Sequence, residues 1–119
     1  MQTTPRPNPF GDRHFAYGEV SGCVTQEEFA ALLGRLGLRV SEGKYSIAVL
    51  ECESLTFEFD QNTEDEATIE GTAATGAVLR ENAHCVHAVL LSGGVRHWIE
   101  ITDAVQNRLE YLHHEWPDE

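Results

Sequence analysis

Six histidines, His14, His84, His87, His97, His113 and His114, are the side chains of this chain most suited to chemistry near neutral pH. His84 and His87 stand three apart. A helix through them puts both imidazoles on one face, as metal ligands are often arranged. His113 or His114 would supply a third ligand, with Cys85 or Cys52 as a sulfur donor nearby. On that reading the chain is a small metal-dependent enzyme or a metal-binding module built on His84, His87 and His113 or His114. Against it, HxxH alone is unspecific, and packed or surface histidine is the commoner fate. The neighbours His113 and His114 would also face opposite sides of a strand. Nucleophilic catalysis has no support, because the chain has no GxSxG, no glycine-rich phosphate loop and no cysteine in a recognisable catalytic setting. A non-enzymatic protein without a cofactor is the expectation.

The carboxylates are the second resource. Between Tyr45 and Leu79 stand eight acids (Glu51, Glu53, Glu58, Asp60, Glu64, Asp65, Glu66 and Glu70) and no lysine or arginine. Over the whole chain 20 acids against 8 lysines and arginines give a formal charge of -12. Crowded like charges raise one another's pKa and cost folding free energy unless a cation relieves them. A basic protein would bring that relief, and its approach would be steered by the field. Phosphates of nucleic acid and anionic lipid would be repelled, so no nucleic acid and no membrane surface is expected as partner. A solvated acidic face serving solubility is the bland alternative. The spacing of Asp65 and Glu66 is not that of an EF-hand. Paired carboxylates for glycoside hydrolysis stay open, although 119 residues rarely supply a sugar-sized cleft. The expected partner-binding residues are Glu58, Asp60, Glu64, Asp65, Glu66 and Glu70, with Trp98 as an aromatic anchor if its strand face is open. If helices cover that face, Trp98 belongs to the core. A homodimer through an exposed sheet face is compatible with either function.

These side chains need a scaffold, and the apolar pattern describes one. Pro5, Pro7 and Pro9 make residues 1–12 a loose tail, and 13–119 reads as one domain. His14 to Ser21 is strand-like, with Phe15, Tyr17 and Glu19 on one face. Thr25 and Glu28 form a capping box, and Phe29, Leu32, Leu33 and Leu36 make a helical stripe ended by Gly37. The spacing predicts a helix over 25–36. Tyr45 to Gln61 alternates at period two, and a turn or bulge near Glu51–Ser54 splits it into two strands. Gln61 to Glu66 is a polar loop, and Ala67 to Ala73 another strand. Thr75 to Ser92 is a helix stopped at Gly93–Gly94, with a buried strand as the rival for 84–91. Val95 to Thr102, a turn at Asp103–Asn107 and Leu109 to His114 form a hairpin, a C-terminal helix from Ala104 being the other option. Strand, helix, two or three strands, helix and two strands make an α+β two-layer sandwich. Its two helices lie on one face of a mainly antiparallel sheet, in split-βαβ style.

No apolar run approaches a membrane span, and the N-terminal residues lack a signal-peptide pattern. The three cysteines, Cys23, Cys52 and Cys85, show no CxxC spacing and sit in apolar contexts. A reducing, cytoplasmic setting is the expectation.

Arg96–His97, Glu100–Ile101 and Asp103, followed by Tyr111-Leu112-His113-His114-Glu115-Trp116-Pro117, resemble small uncharacterised bacterial proteins carrying an RHxxEIxD…YLHHxWP pattern. The resemblance covers roughly residues 95–117 and implies strand–turn–strand for that segment. It carries no site residues with it. In type, being short, acidic and α+β, the chain also resembles immunity proteins that neutralise bacterial toxins. That likeness implies an inhibitor that occludes a basic partner.

Overall fold

The computed structural model describes residues 13–22, 25–59, 66–73 and 75–116. The expected tail 1–12 lies outside them, as do Cys23, Asp60, Glu64, Asp65 and most of the 61–66 loop. Strand β1 (His14–Ser21) leads to helix α1 (Gln26–Arg35), then β2 (Val40–Glu42) and β3 (Ser46–Val49). A single 3-10 turn at Leu50–Cys52 separates β3 from β4 (Leu55–Phe59); β5 (Glu66–Ala73), α2 (Gly76–Ser92), β6 (Arg96–Thr102) and β7 (Arg108–His114) follow. All strands join one seven-stranded sheet in the order β2-β3-β4-β5-β1-β6-β7, and every neighbouring pair is antiparallel. Since β5 and β6 both run antiparallel to β1 between them, they are parallel to each other. With α2 as their crossover they form a split βαβ unit.

Local chemistry explains the helix limits. The Thr25 hydroxyl accepts from Glu28 N at 3.0 Å, capping α1. At the other end Gly37 adopts φ 100, a conformation costly for a residue with a Cβ. That lets Leu38 N donate to Leu33 O at 3.0 Å and Gly37 N to Gly34 O at 3.1 Å, a Schellman closure. Helix α2 is capped by the Thr75 hydroxyl at Val78 N and closes with Val95 N on Leu90 O at 2.9 Å. The helix reading of 75–92 therefore holds against the strand reading.

Both helices cover one face of the sheet. Phe29 and Leu33 of α1, and Leu79, Ala83, Val86 and Leu90 of α2, are buried there with Val20, Ile47, Leu55, Phe57, Ile69, Ile99 and Ile101. The Phe29 and Phe57 rings meet edge-on with centroids 5.0 Å apart. On β1 the residues turned to this core are Ala16, Gly18 and Val20. Phe15, Tyr17 and Glu19 do share a face, but it is the other one, which no helix among the described residues covers. The strand count between the helices is four rather than two or three, because the three-residue β2 pairs with β3.

Candidate functional site

The uncovered sheet face is assembled by register. Residues directly opposite in an antiparallel ladder share a face. Across the sheet run Glu58–Thr68–Glu19–Trp98–His113 and Thr56–Glu70–Tyr17–Glu100–Tyr111. Glu66, opposite Ser21, extends the same face. Three of the six expected acids, Glu58, Glu66 and Glu70, therefore sit on one surface with the expected anchor Trp98. Glu19 and Glu100, which were not among the expected partner-binding residues, join them. Their signal was the period-two parity of β1 and β6, legible once the helix-covered face is known. The other expected acids, Asp60, Glu64 and Asp65, lie outside the described residues.

Neutralisation on this face is partial. Glu100 takes Arg108 Nε at 3.3 Å, and Glu58 accepts the Thr56 hydroxyl at 3.1 Å. Among the described residues no ion pair engages Glu19, Glu58, Glu66 or Glu70. Glu51 and Glu53, from the same acidic stretch, are placed elsewhere, in the turn between β3 and β4. Glu51 is held by Arg39 through the backbone N–H at 2.9 Å and Nε at 3.0 Å, which keeps its carboxyl below the usual range.

An aromatic row occupies the β1–β6–β7 half of the face. The Trp98 ring lies 5.7 Å from Tyr17, 6.1 Å from Tyr111 and 6.4 Å from Trp116, and its indole N–H donates to Glu19 at 3.3 Å. Arg96 covers Trp116 at 4.5 Å and Arg108 covers Tyr111 at 4.9 Å. Trp98 is thus half-buried by neighbours of its own face rather than by a helix.

The histidines divide between the two faces. His113 pairs with Trp98 in register and stacks on Tyr111, on the open side. His114, opposite His97, is on the helix side with its ring 6.2 Å from His97. His84 and His87 reach the helix side from α2, so His113 does not converge with them. His84 Nε2 meets Glu110 Oε1, and His87 Nδ1 meets His97 Nε2 at 2.8 Å. His97, absent from the expected set, is fully buried; its alternation with Ile99 and Ile101 was the available signal. Burial pushes its pKa down to about 4, against a smaller upward pull from the Val95 carbonyl. Burial also lowers His87, helped by His84. Among the described residues no group of three or more His, Cys, Asp or Glu is arranged to hold a metal ion, and no helix is long and apolar enough to cross a membrane.

Compared with known proteins, the chain matches no protein-family model, no curated protein and no solved structure.

Proposed function

We propose that this chain is a non-enzymatic binding protein whose open sheet face docks a basic protein, in the manner of an inhibitor or immunity protein that occludes its target. One observation carries the reading: Glu19, Glu58, Glu66 and Glu70 share a helix-free face with an aromatic row centred on Trp98, and no ion pair among the described residues neutralises them. Carboxylates so grouped repel one another across a surface in water, and a cationic partner removes that cost. Aromatic side chains supply the area that fixes a pose, and charges at the rim supply speed of encounter. The whole chain carries a formal charge of -12, of which these four acids supply only four, so the remainder is also negative and does not cancel the field over the face. A cytoplasmic partner is part of the same reading.

The test is association with a purified basic protein, first of all the product encoded next to this chain. The association rate should fall steeply with salt, since exposed charges are screened within roughly 10 Å at 0.1 M. The double change Glu58→Lys/Glu66→Lys should keep the melting temperature and weaken binding at least tenfold. An association rate indifferent to salt, or unchanged affinity of the double variant, removes the reading.

A further inference from the structure

Tyr17 stands on the open face in β1, and its two cross-strand neighbours are both carboxylates: Glu70 on β5 and Glu100 on β6. Directly opposed residues hold their Cβ atoms about 5 Å apart, so the phenol ring stands between two acids. Tyr17 is 46% exposed although its ring contacts Trp98 edge-on. Beside it opens a hollow of about 390 Å³ lined by Phe15, Tyr17, Glu100, Thr102, Asp103 and Ala104, among others.

The other aromatic residues along this row show what such a ring attracts. Trp116 carries Arg96 and Tyr111 carries Arg108, each at cation–π distance. Among the described residues no cation covers Tyr17; of its two flanking acids, Glu100 already takes Arg108 Nε at 3.3 Å, while Glu70 enters no ion pair and is the one left for a partner's cation. A ring flanked by two carboxylates and bordered by a hollow matches a guanidinium better than an ammonium. The planar guanidinium stacks on the ring while its fork of N–H donors reaches carboxylates to the side. A lysine ammonium is a compact, strongly hydrated charge that cannot do both.

We propose that Tyr17, Glu70 and Glu100 form a seat for an arginine side chain of the basic protein partner, with the adjoining hollow taking part of its aliphatic stem. This rests on the docking-face reading above and adds which residue of the partner is recognised and where.

Nona-arginine and nona-lysine peptides, titrated at low salt into the full isotope-labelled chain and followed by amide shifts, test it. Nona-arginine should shift amides around Tyr17, Glu70 and Glu100 and bind at least fivefold more tightly than nona-lysine. Tyr17→Ala should weaken nona-arginine at least tenfold, Tyr17→Phe less than twofold, and Glu70→Gln severalfold, with each variant's melting temperature recorded. If a folded Tyr17→Ala binds as the wild type does while Glu58→Lys/Glu66→Lys loses affinity, the seat is wrong and the docking face stands. If neither change matters, both fail. Concentration-dependent dimerisation without peptide that Tyr17→Ala abolishes would give the seat to a second copy instead and overturn the proposed occupant.

Discussion

His87 Nδ1 lies 2.8 Å from His97 Nε2, and His97 Nδ1 lies 2.7 Å from the Val95 carbonyl oxygen. A carbonyl only accepts, so His97 carries its proton on Nδ1. Neutral His97 must then accept at Nε2, and the donor is the Nδ1–H of His87. The two tautomers are locked in series. His97 is fully buried, and that burial, joined by the nearby His87, His114 and His113, outweighs the upward pull of the Val95 carbonyl and lowers its pKa to about 4.

The expected consequence is acid sensitivity between pH 6.5 and 4. The unfolded chain binds a proton at His97 near pH 6.5, and the folded one only near 4. In that window the unfolded state holds more protons, so the stability that His97 contributes falls as pH drops and its loss is complete below 4. The contribution of His97 is about 3 kcal/mol across the window, at roughly 1.4 kcal/mol per unit, and the lowered pKa of His87 acts in the same direction. Urea titrations at half-unit steps measure the slope. His97→Gln should be weaker at pH 7.5 and lose more than half of it. An unaltered slope in that variant would place the acid sensitivity elsewhere.

This pair was out of reach of sequence reasoning for a physical reason. The helix set His84 and His87 side by side correctly, because spacing on one helix is local. What His87 meets depends on which strand α2 crosses and on which parity of that strand faces it. Both are long-range facts. Local signals carried α1 from its capping box to the Gly37 closure, divided β3 from β4 and identified the β6–β7 hairpin. They did not carry β2, whose three residues make no periodic pattern. The face of β1 is the instructive case. Phe15 and Tyr17 look like core and Ala16 and Gly18 like filler, yet the small residues are on the helix-covered side, and at Gly18 the backbone of β6 leaves no room for a side chain.

Gly18 makes that crowding measurable. A Cβ built on it would stand 2.0 Å from the Trp98 carbonyl oxygen and 3.0 Å from Ile99 Cα, both backbone atoms of β6. Neither can yield without moving the central ladder. Gly18→Ala should therefore cost about 3 kcal/mol, read as the shift in urea midpoint. A loss below about 0.5 kcal/mol, the range of ordinary surface changes, would mean that β1 and β6 are less closely apposed than described.

Gly37 tests a different cause. Nothing lies within 4 Å of a Cβ added there, so only the backbone objects, at φ 100. Gly37→Ala should cost about 1 kcal/mol, with the rest of the fold unchanged by amide shifts. Gly37→Asn should lose less, since asparagine tolerates left-handed backbone better. Equal losses for the two would argue against strain as the cause.

The two thiols on the inner side offer a kinetic reading of the same packing. Cys52, in the turn before β4, is buried without exposed surface, and Cys85 of α2 is half-buried beside it. Burial, with the Cys85 hydrogen bond second, pushes the Cys52 thiol up to about 12. Its thiolate is then scarce at pH 8, and the thiolate is the reactive form. Iodoacetamide at pH 8 should alkylate Cys85 first in the native protein. Cys52 should follow at least 100-fold more slowly, because it reacts only when the turn at Leu50–Cys52 opens from α2. Peptide mass mapping over time separates the two sites. Adding urea below the unfolding midpoint should speed Cys52 far more than Cys85, since only Cys52 needs an opening that exposes new surface. Equal native rates would mean that α2 does not seal this turn, and the helix-covered core would have to end short of it.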